Sequence, residues 1–177
     1  VMAAWTAYTK TDALTWMVSG AFGVSITTFV GQNYGAHKYD RVRQSVRVCL
    51  GMSIATVGFI SLLMVLFRRF ILGIYTTDAA VIEDGAYIIS VIVPFAAAFM
   101  PVEIFAGTMR GMGDSLRPTV IICLSVCVVR VAWIMTVVKR YHILLMLCIC
   151  YPITWVLCAL VFIFNYCRSF RPRLEQV

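Results

Sequence analysis

The sequence predicts an all-α membrane protein, a polytopic bundle of transmembrane helices. Five apolar stretches are each long enough to cross a bilayer: residues 13–33, 44–68, 85–109, 118–138 and 143–166. A hydrocarbon core of about 30 Å requires about 20 helical residues at about 1.5 Å each. The composition agrees, since 62% of the residues are hydrophobic and 13% are charged, about half the charged fraction of soluble domains. Apart from Arg68, the last residue of the second stretch, three charged residues lie inside these stretches: Arg47, Glu103 and Arg130.

The basic residues predict the orientation of the helices. The net charge of +7 is spread over short clusters between apolar stretches, which argues against a nucleic-acid-binding face. If the loop after the first span is cytoplasmic, nine Lys and Arg residues lie on that side and five lie outside. The bias predicts a multi-pass membrane protein with a cytoplasmic C-terminus. The expected location is a bacterial plasma (inner) membrane. The cytoplasmic set includes three arginines of the C-terminal tail: Arg168, Arg171 and Arg173.

The chain divides into three predicted parts. Residues 1–11 are expected to be the end of a truncated helix followed by an external turn, because Asp12 is a suitable N-cap for the first complete span. Residues 12–166 contain the five spans, and residues 167–177 form a basic cytoplasmic tail. The chain begins at Val1 instead of Met and is expected to be a fragment. The seven cysteines form no CxxC pair, so they predict buried packing residues and no metal site.

The first two spans carry small side chains on one face. On the first span these recur every four residues, which predicts close packing against another helix: Thr15, Ser19, Gly23, Thr27 and Gly31. The second span ends at Arg68 and Arg69. Residues 70–84 are then amphipathic and predict an interfacial turn, with Thr77 or Asp78 capping the next helix.

The third span combines Pro94, Pro101 and Glu103. Each proline removes a backbone hydrogen bond, so the pair predicts a kinked helix. Freed carbonyls are tolerated where protein or a wet cavity satisfies them, and a carboxylate is tolerated there too. Glu103 is therefore either a proton or cation site or a structural glutamate satisfied by a neighbouring helix.

Arg130, in the fourth span, is a candidate partner for the Glu103 carboxylate, because it is a basic residue inside a predicted span. Counting along the two helices places them about 8 Å apart in depth, which predicts no ideal ion pair. A polar or water-filled cavity shared by both charges is the preferred hypothesis. Arg130 by itself fits a structural role as well as a functional one.

Residues 109–118 predict a tight cytoplasmic turn. Gly111 or Gly113 can adopt a positive φ at the end of one helix, and Pro118 can lie in the first turn of the next. The glycines belong to no GKS/T or GxGxxG motif that follows a strand, so nucleotide binding is not predicted.

Two loop sequences resemble those of the multidrug and toxic compound extrusion family. The first spans residues 29–43 and the second follows Glu103, at residues 107–115. Residues 127–133 and 151–155 strengthen the resemblance, which covers nearly the whole chain. The loop motifs contain seven polar or glycine residues of interest: Gln32, Asn33, Gly35, Arg110, Gly111, Gly113 and Asp114.

The resemblance implies one lobe of a transporter with twelve helices in two six-helix lobes. This chain would supply helices eight to twelve and a stub of helix seven, and the amino-terminal lobe would be its missing partner. Such transporters export organic, often cationic, compounds in exchange for H⁺ or Na⁺, with no other cofactor. In some members the cation site uses an acidic residue one turn before Glu103, where this sequence has Phe99.

On this basis Glu103 and Arg130 are the predicted cation-binding or coupling residues, and the helix bends at Pro94 and Pro101. Phe99 and Met100 are the predicted substrate contacts, since organic cations favour aromatic faces and thioethers. Two alternatives remain: a flippase for lipid-linked saccharides of the same superfamily, or a non-transporting membrane scaffold. No enzyme is predicted, because no Ser/His/Asp set, HExxH motif or paired aspartates at membrane depth occur.

Overall fold

The computed structural model describes residues 2–141 and 144–170, and within these ranges every regular element is helical. Five helical segments in this part of the chain are long and apolar enough to cross a membrane. Their bounds are Met2–Gly35, Tyr39–Leu66, Ala79–Gly111, Leu116–Val138 and Leu145–Arg168. The predicted all-α bundle of five spans is therefore confirmed.

Several spans are divided into shorter elements, which we number in chain order. The α-helices are α1 (Met2–Gly35), α2 (Tyr39–Leu66), α3 (Arg68–Tyr75), α4 (Ala79–Ile92), α5 (Met100–Gly111), α6 (Leu116–Ile122), α7 (Val129–Trp133), α8 (Lys139–Tyr141) and α9 (Leu144–Asn165). A 3₁₀ helix, Val93–Phe99, joins α4 to α5. Three π-helical segments complete the described part: Cys123–Val128, Ile134–Val138 and Tyr166–Phe170.

The first helix is longer than predicted and has no turn before Asp12. α1 runs without interruption from Met2 to Gly35, so Asp12 lies inside the helix and is not an N-cap. The physical reason is that residues 2–19 contain neither Gly nor Pro, the residues that most strongly end a helix. The predicted boundary between residues 1–11 and 12–166 does not correspond to a structural break.

The third span, α4 to α5, lies at the centre of the bundle. In this span 56% of the most apolar window is buried, against 6% in the fourth span. Asp78 caps the span, since its side chain accepts a hydrogen bond from the Ala80 backbone N–H at 2.9 Å, which confirms one of the two predicted caps. The prolines interrupt the α-helix as predicted, and the interruption takes the form of the 3₁₀ helix: Pro94 lies in its first turn and Pro101 in the first turn of α5.

The segments at the ends of the bundle differ in detail from the prediction. The interfacial stretch contains α3, whose Leu72 is fully buried while Phe70 and Ile74 are exposed. The helix of the fifth span continues past residue 166 into the π-helical segment that ends at Phe170, so the first residues of the predicted tail are helical. The tail arginines Arg171 and Arg173 lie outside the described residues.

Candidate functional site

The small-residue face of α1 packs directly against α5. A Cβ atom at Gly107 would lie 2.8 Å from the Gly23 carbonyl oxygen. A Cβ atom at Gly111 would lie 2.6 Å from the Thr27 carbonyl oxygen. Side chains at these positions would overlap the facing backbone, so glycine allows the two helices to approach closely. The predicted role of the α1 stripe in close packing is confirmed.

Glu103 lies on the same face of α5, one turn before Gly107. Its carboxylate sits over Gly23, where an added Cβ would be 2.6 Å from Oε2. Arg110, seven residues later, places Nη2 at 3.8 Å from Oε2. Both side chains line an open groove of about 360 Å³ between α1 and α5. The exposed fractions are 24% for Glu103 and 42% for Arg110, so both side chains are partly exposed on the surface of the described helices.

Arg130 is not part of this groove, and the predicted cavity shared by Glu103 and Arg130 is wrong. Arg130 Nη2 donates to Thr154 Oγ1 at 3.1 Å. The guanidinium also lies 4.1 Å from the ring centroid of Tyr151, within cation–π range. Arg130 thus faces α9, whereas Glu103 faces α1. Residues seven apart share a helix face, which is why Glu103 meets Arg110 on its own helix.

The predicted substrate contacts are both buried. Met100 is 1% exposed and belongs to the hydrophobic core, a placement that does not support contact with a substrate. Phe99 packs edge-on against Trp16, with ring centroids 5.1 Å apart. It lines a cavity of only about 10 Å³, which is about the size of one water molecule. An organic substrate does not fit there.

The two loop motifs form helix ends that meet. Asn33 Nδ2 donates to the Phe29 carbonyl at 2.8 Å in the last turns of α1, and Gly35 ends the helix. A Cβ at Gly31 would lie 3.4 Å from the Gly111 carbonyl oxygen at the end of α5. The motif residues at the helix ends therefore fix the two turns beside each other.

The turn between α5 and α6 contains a glycine with a positive φ, as predicted. Gly113 has a φ of +89°, which confirms one of the two glycines proposed for this conformation. The Asp114 carboxylate accepts a hydrogen bond from the Arg117 backbone N–H at 3.2 Å and pairs with Arg117 Nε at 3.2 Å. Arg110 lies in the last turn of α5, where a positive charge is favoured by the helix dipole.

Asp12, predicted as an N-cap, is instead a buried residue inside α1. It is 6% exposed, and its Oδ2 accepts hydrogen bonds from Tyr8 Oη at 3.1 Å and Trp16 Nε1 at 2.7 Å. Tyr8, Asp12 and Trp16 are spaced four residues apart, so they share one face of a helix. Because α1 continues through Asp12, the four-residue spacing is the sequence signal that these three side chains form one cluster.

An aromatic layer connects the Asp12 region to Arg130. Neighbouring ring centroids in this layer are 5.1 to 6.1 Å apart, in the range of favourable aromatic pairs. Arg130 covers one end of the layer, at Tyr151. The members of the layer are Trp5, Tyr8, Trp16, Phe99, Tyr151 and Trp155.

Comparison with a family model now identifies this architecture. The model described as MatE matches residues 1–136. The chain belongs to the MatE family. The resemblance of the two loop motifs to the multidrug and toxic compound extrusion family is thereby confirmed, and the chain is part of a transporter family of multi-pass membrane proteins.

Individual relatives of this MatE-family chain have low sequence identity. It is 27% identical over 105 residues to the Probable multidrug resistance protein YoeA of Bacillus subtilis (strain 168), covering 59% of this chain and 23% of that protein. It is 24% identical over 131 residues to the Probable multidrug resistance protein NorM of Thermotoga maritima, covering 74% of this chain and 28% of that protein. The chain therefore spans about a quarter of the length of the curated relatives it matches.

A solved structure supports the fold. The chain superposes with a TM-score of 0.74 at 14% identity on a structure described as the inward-facing conformation of a multidrug resistance MATE family transporter of the MOP superfamily. The match covers 97% of this chain and 38% of that one. The described helices have the arrangement of part of such a transporter.

Proposed function

We propose that this chain belongs to a secondary transporter that exports organic, often cationic, compounds in exchange for H⁺ or Na⁺. The family membership and the printed names of two relatives, both multidrug resistance proteins, support the export of drug-like compounds. The chain corresponds to one lobe, and the complete protein supplies the other. Its role is transport and not catalysis.

The observation that carries the coupling role is the position of Glu103 in the α1–α5 groove. A charged carboxylate inside a membrane-spanning segment costs free energy unless it is paired, and such residues commonly belong to ion or substrate pathways. Glu103 has a partner in Arg110 at 3.8 Å, a distance long enough that a bound proton or cation can compete with the pair. The groove gives an ion a path to the carboxylate. Glu103 is therefore the proposed coupling residue, whereas Arg130 has a positioning role on Tyr151.

We further infer that the complete protein lies in a plasma membrane with both loop motifs in the cytoplasm. Basic residues lie in or beside both turns: Lys38, Arg41 and Arg43 at the turn between α1 and α2, and Arg110 and Arg117 on either side of the turn between α5 and α6. Positive charge is concentrated on the cytoplasmic side of membrane proteins. This orientation also places the end of the fifth span in the cytoplasm, as in the proposed topology of a bacterial inner-membrane protein.

Efflux of a fluorescent organic cation from cells or proteoliposomes tests the proposal. The complete protein is compared with its Glu103→Gln variant, with a pH gradient and a Na⁺ gradient imposed separately. We expect gradient-driven efflux from the unmodified protein and its loss in Glu103→Gln. The matched control is Glu83→Gln, which removes another carboxylate paired with an arginine, at 2.9 Å from Arg69, but at an exposed position.

The outcomes separate the candidate functions. Efflux that follows only one of the two gradients identifies the coupling ion. Unchanged coupled efflux in Glu103→Gln removes Glu103 from the mechanism. Absence of efflux in the unmodified protein, combined with translocation of a lipid-linked saccharide, favours the flippase. Absence of both activities favours the scaffold.

A further inference from the structure

A second open groove, of about 640 Å³, lies between α1 and α2. It is separate from the α1–α5 groove that contains Glu103. Its apolar walls include Phe22 and Phe29 on α1, and Val48 and Met52 on α2. Residues four or seven apart lie on the same face of a helix, so each helix presents one apolar stripe to the groove. Of these four side chains, Phe29, Val48 and Met52 are exposed on the described helices.

The two ends of the α1–α2 groove differ in polarity. Arg41 and Gln44 line it in the first two turns of α2, beside the turn that joins α1 to α2. Met52 lies at the other end and follows Arg41 by eleven residues, which corresponds to about 16 Å of helix. One leaflet contributes about 15 Å of the hydrocarbon core. The polar and apolar ends are therefore separated by about the depth of one leaflet.

The guanidinium of Arg41 has donors to offer at the polar end. The ion pairs within residues 2–141 and 144–170 involve other arginines. The adjacent carboxylate, Asp40, pairs with Arg43 at 3.7 Å. The side-chain amide of Gln44 supplies further N–H donors on the same wall of the groove. A guanidinium beside an amide is suited to the oxygen atoms of a phosphate group.

The charge and the polarity of the groove decide between its potential occupants. An organic cation is repelled by Arg41. A protein helix packed along the whole groove would bury the guanidinium, which costs free energy unless that helix brings an acidic partner. An anionic phospholipid supplies a negative charge at the level of the headgroups, and its acyl chain covers the apolar residues below. Basic pockets between membrane-spanning helices bind such headgroups in other proteins.

From these observations we propose that the α1–α2 groove binds one phospholipid of net negative charge, such as phosphatidylglycerol. Its phosphate lies at Arg41 and Gln44, and an acyl chain lies against Phe29, Val48 and Met52. Binding of this lipid does not depend on the proposed export function. Only its assignment to the cytoplasmic leaflet rests on the orientation proposed above, in which the turn between α1 and α2 faces the cytoplasm.

Quenching of a tryptophan reporter by brominated lipids tests the proposal. Met52→Trp places an indole at the apolar end of the groove in the complete protein. This variant is reconstituted into phosphatidylcholine vesicles that contain increasing fractions of brominated phosphatidylglycerol or brominated phosphatidylcholine. The quenching of the unmodified protein is subtracted, because the chain has tryptophans of its own. We expect phosphatidylglycerol to bind about fivefold more tightly than phosphatidylcholine, which corresponds to about 1 kcal/mol for one arginine near an anionic headgroup.

Two matched controls separate this groove from the general attraction of a basic protein for anionic lipid. Ile54→Trp places the reporter at nearly the same depth, but two residues further along and therefore on the opposite side of α2. We expect the two lipids to bind within about twofold of each other there. Adding Arg41→Gln to Met52→Trp should reduce the preference to that level. Arg47→Gln removes the same charge from an exposed residue outside the groove and should leave the preference intact.

The proposal is overturned if both lipids bind equally at Met52→Trp, if Ile54→Trp shows the same preference, or if Arg41→Gln leaves the preference unchanged. Quenching of Met52→Trp by neither lipid also overturns it, because the rest of the complete protein then covers the groove. Should Arg41→Gln fail to fold, the comparison of the two reporters still decides. The vesicles contain no gradient and no exported compound. Lipid preference without efflux therefore supports this site and counts against the export function alone.

Discussion

Asp12 and Glu103 are both carboxylates inside membrane-spanning helices, and they are held in different ways. Glu103 has an arginine 3.8 Å away and lines an open groove of about 360 Å³. Asp12 is 6% exposed, accepts hydrogen bonds from two neutral donors and lines a cavity of about 10 Å³. A counter-charge in a partly exposed groove makes one carboxylate tolerable, whereas hydrogen-bond donors around a buried side chain do so for the other.

The largest expected difference between the two regions appears when each carboxylate is removed. Asp12→Ala leaves the buried Tyr8 hydroxyl and the part-buried Trp16 indole without their acceptor, which costs about 2–4 kcal/mol of stability. Glu103→Ala leaves Arg110, which is 42% exposed and can turn to water, so the cost is below about 1 kcal/mol. Thermal unfolding of the complete protein in detergent measures both.

Asp12→Asn is the matched variant for this comparison, since an amide oxygen can still accept from Tyr8 and Trp16. We expect it to recover most of the stability that Asp12→Ala loses. Equal losses in Asp12→Ala and Glu103→Ala would contradict the distinction between the two regions.

The second expected effect tests the packing that positions Glu103. A Cβ at Gly111 meets backbone, the Thr27 carbonyl oxygen at 2.6 Å, so Gly111→Ala forces α1 and α5 apart and costs about 1–3 kcal/mol. Gly20→Ala is the control, because nothing lies within 4 Å of its Cβ and alanine favours the helix by about 1 kcal/mol. The melting temperatures of the two variants should move in opposite directions.

The third expected effect concerns Arg130, whose guanidinium covers the end of the aromatic layer at Tyr151. Arg130→Lys keeps the charge but loses the planar group that lies on Tyr151 and the hydrogen bond to Thr154. We expect a loss of about 1 kcal/mol in unfolding free energy. The same loss in Arg130→Lys and Arg130→Met would show that the planar guanidinium, and not its positive charge, is what Arg130 contributes.

The spans and their packing faces were predictable because they depend on local patterns. Apolar length sets the number of spans, and the four-residue spacing of Gly23, Thr27 and Gly31 places them on one helix face. Gly113 was one of two candidates for a positive φ, because a turn between two short segments needs such a residue. Each of these features is decided within about twenty consecutive residues of sequence.

The candidate site was less predictable because it depends on contacts between distant helices. The seven-residue spacing of Glu103 and Arg110 places them on one face of α5, but their position in the groove required knowing which face of α5 meets α1. The position of Asp12 was missed because an aspartate next to threonine is also a good N-cap, and the local pattern does not decide between a helix start and a buried helix interior. The partner of Arg130 on α9 depends on the rotation of two spans about their axes.

The smallest expected effect uses a third carboxylate as a reference for the first two. Glu83 pairs with Arg69 at 2.9 Å, closer than Glu103 to Arg110, but both side chains are 67% exposed. Because water screens exposed charges, Glu83→Gln should change the unfolding free energy by less than about 0.5 kcal/mol, and added salt should make the difference smaller still. Thermal unfolding at low and high NaCl measures this. A loss above about 1 kcal/mol would mean that the distance between charges matters more than their access to water, and the comparison of Asp12 with Glu103 would then need a different basis.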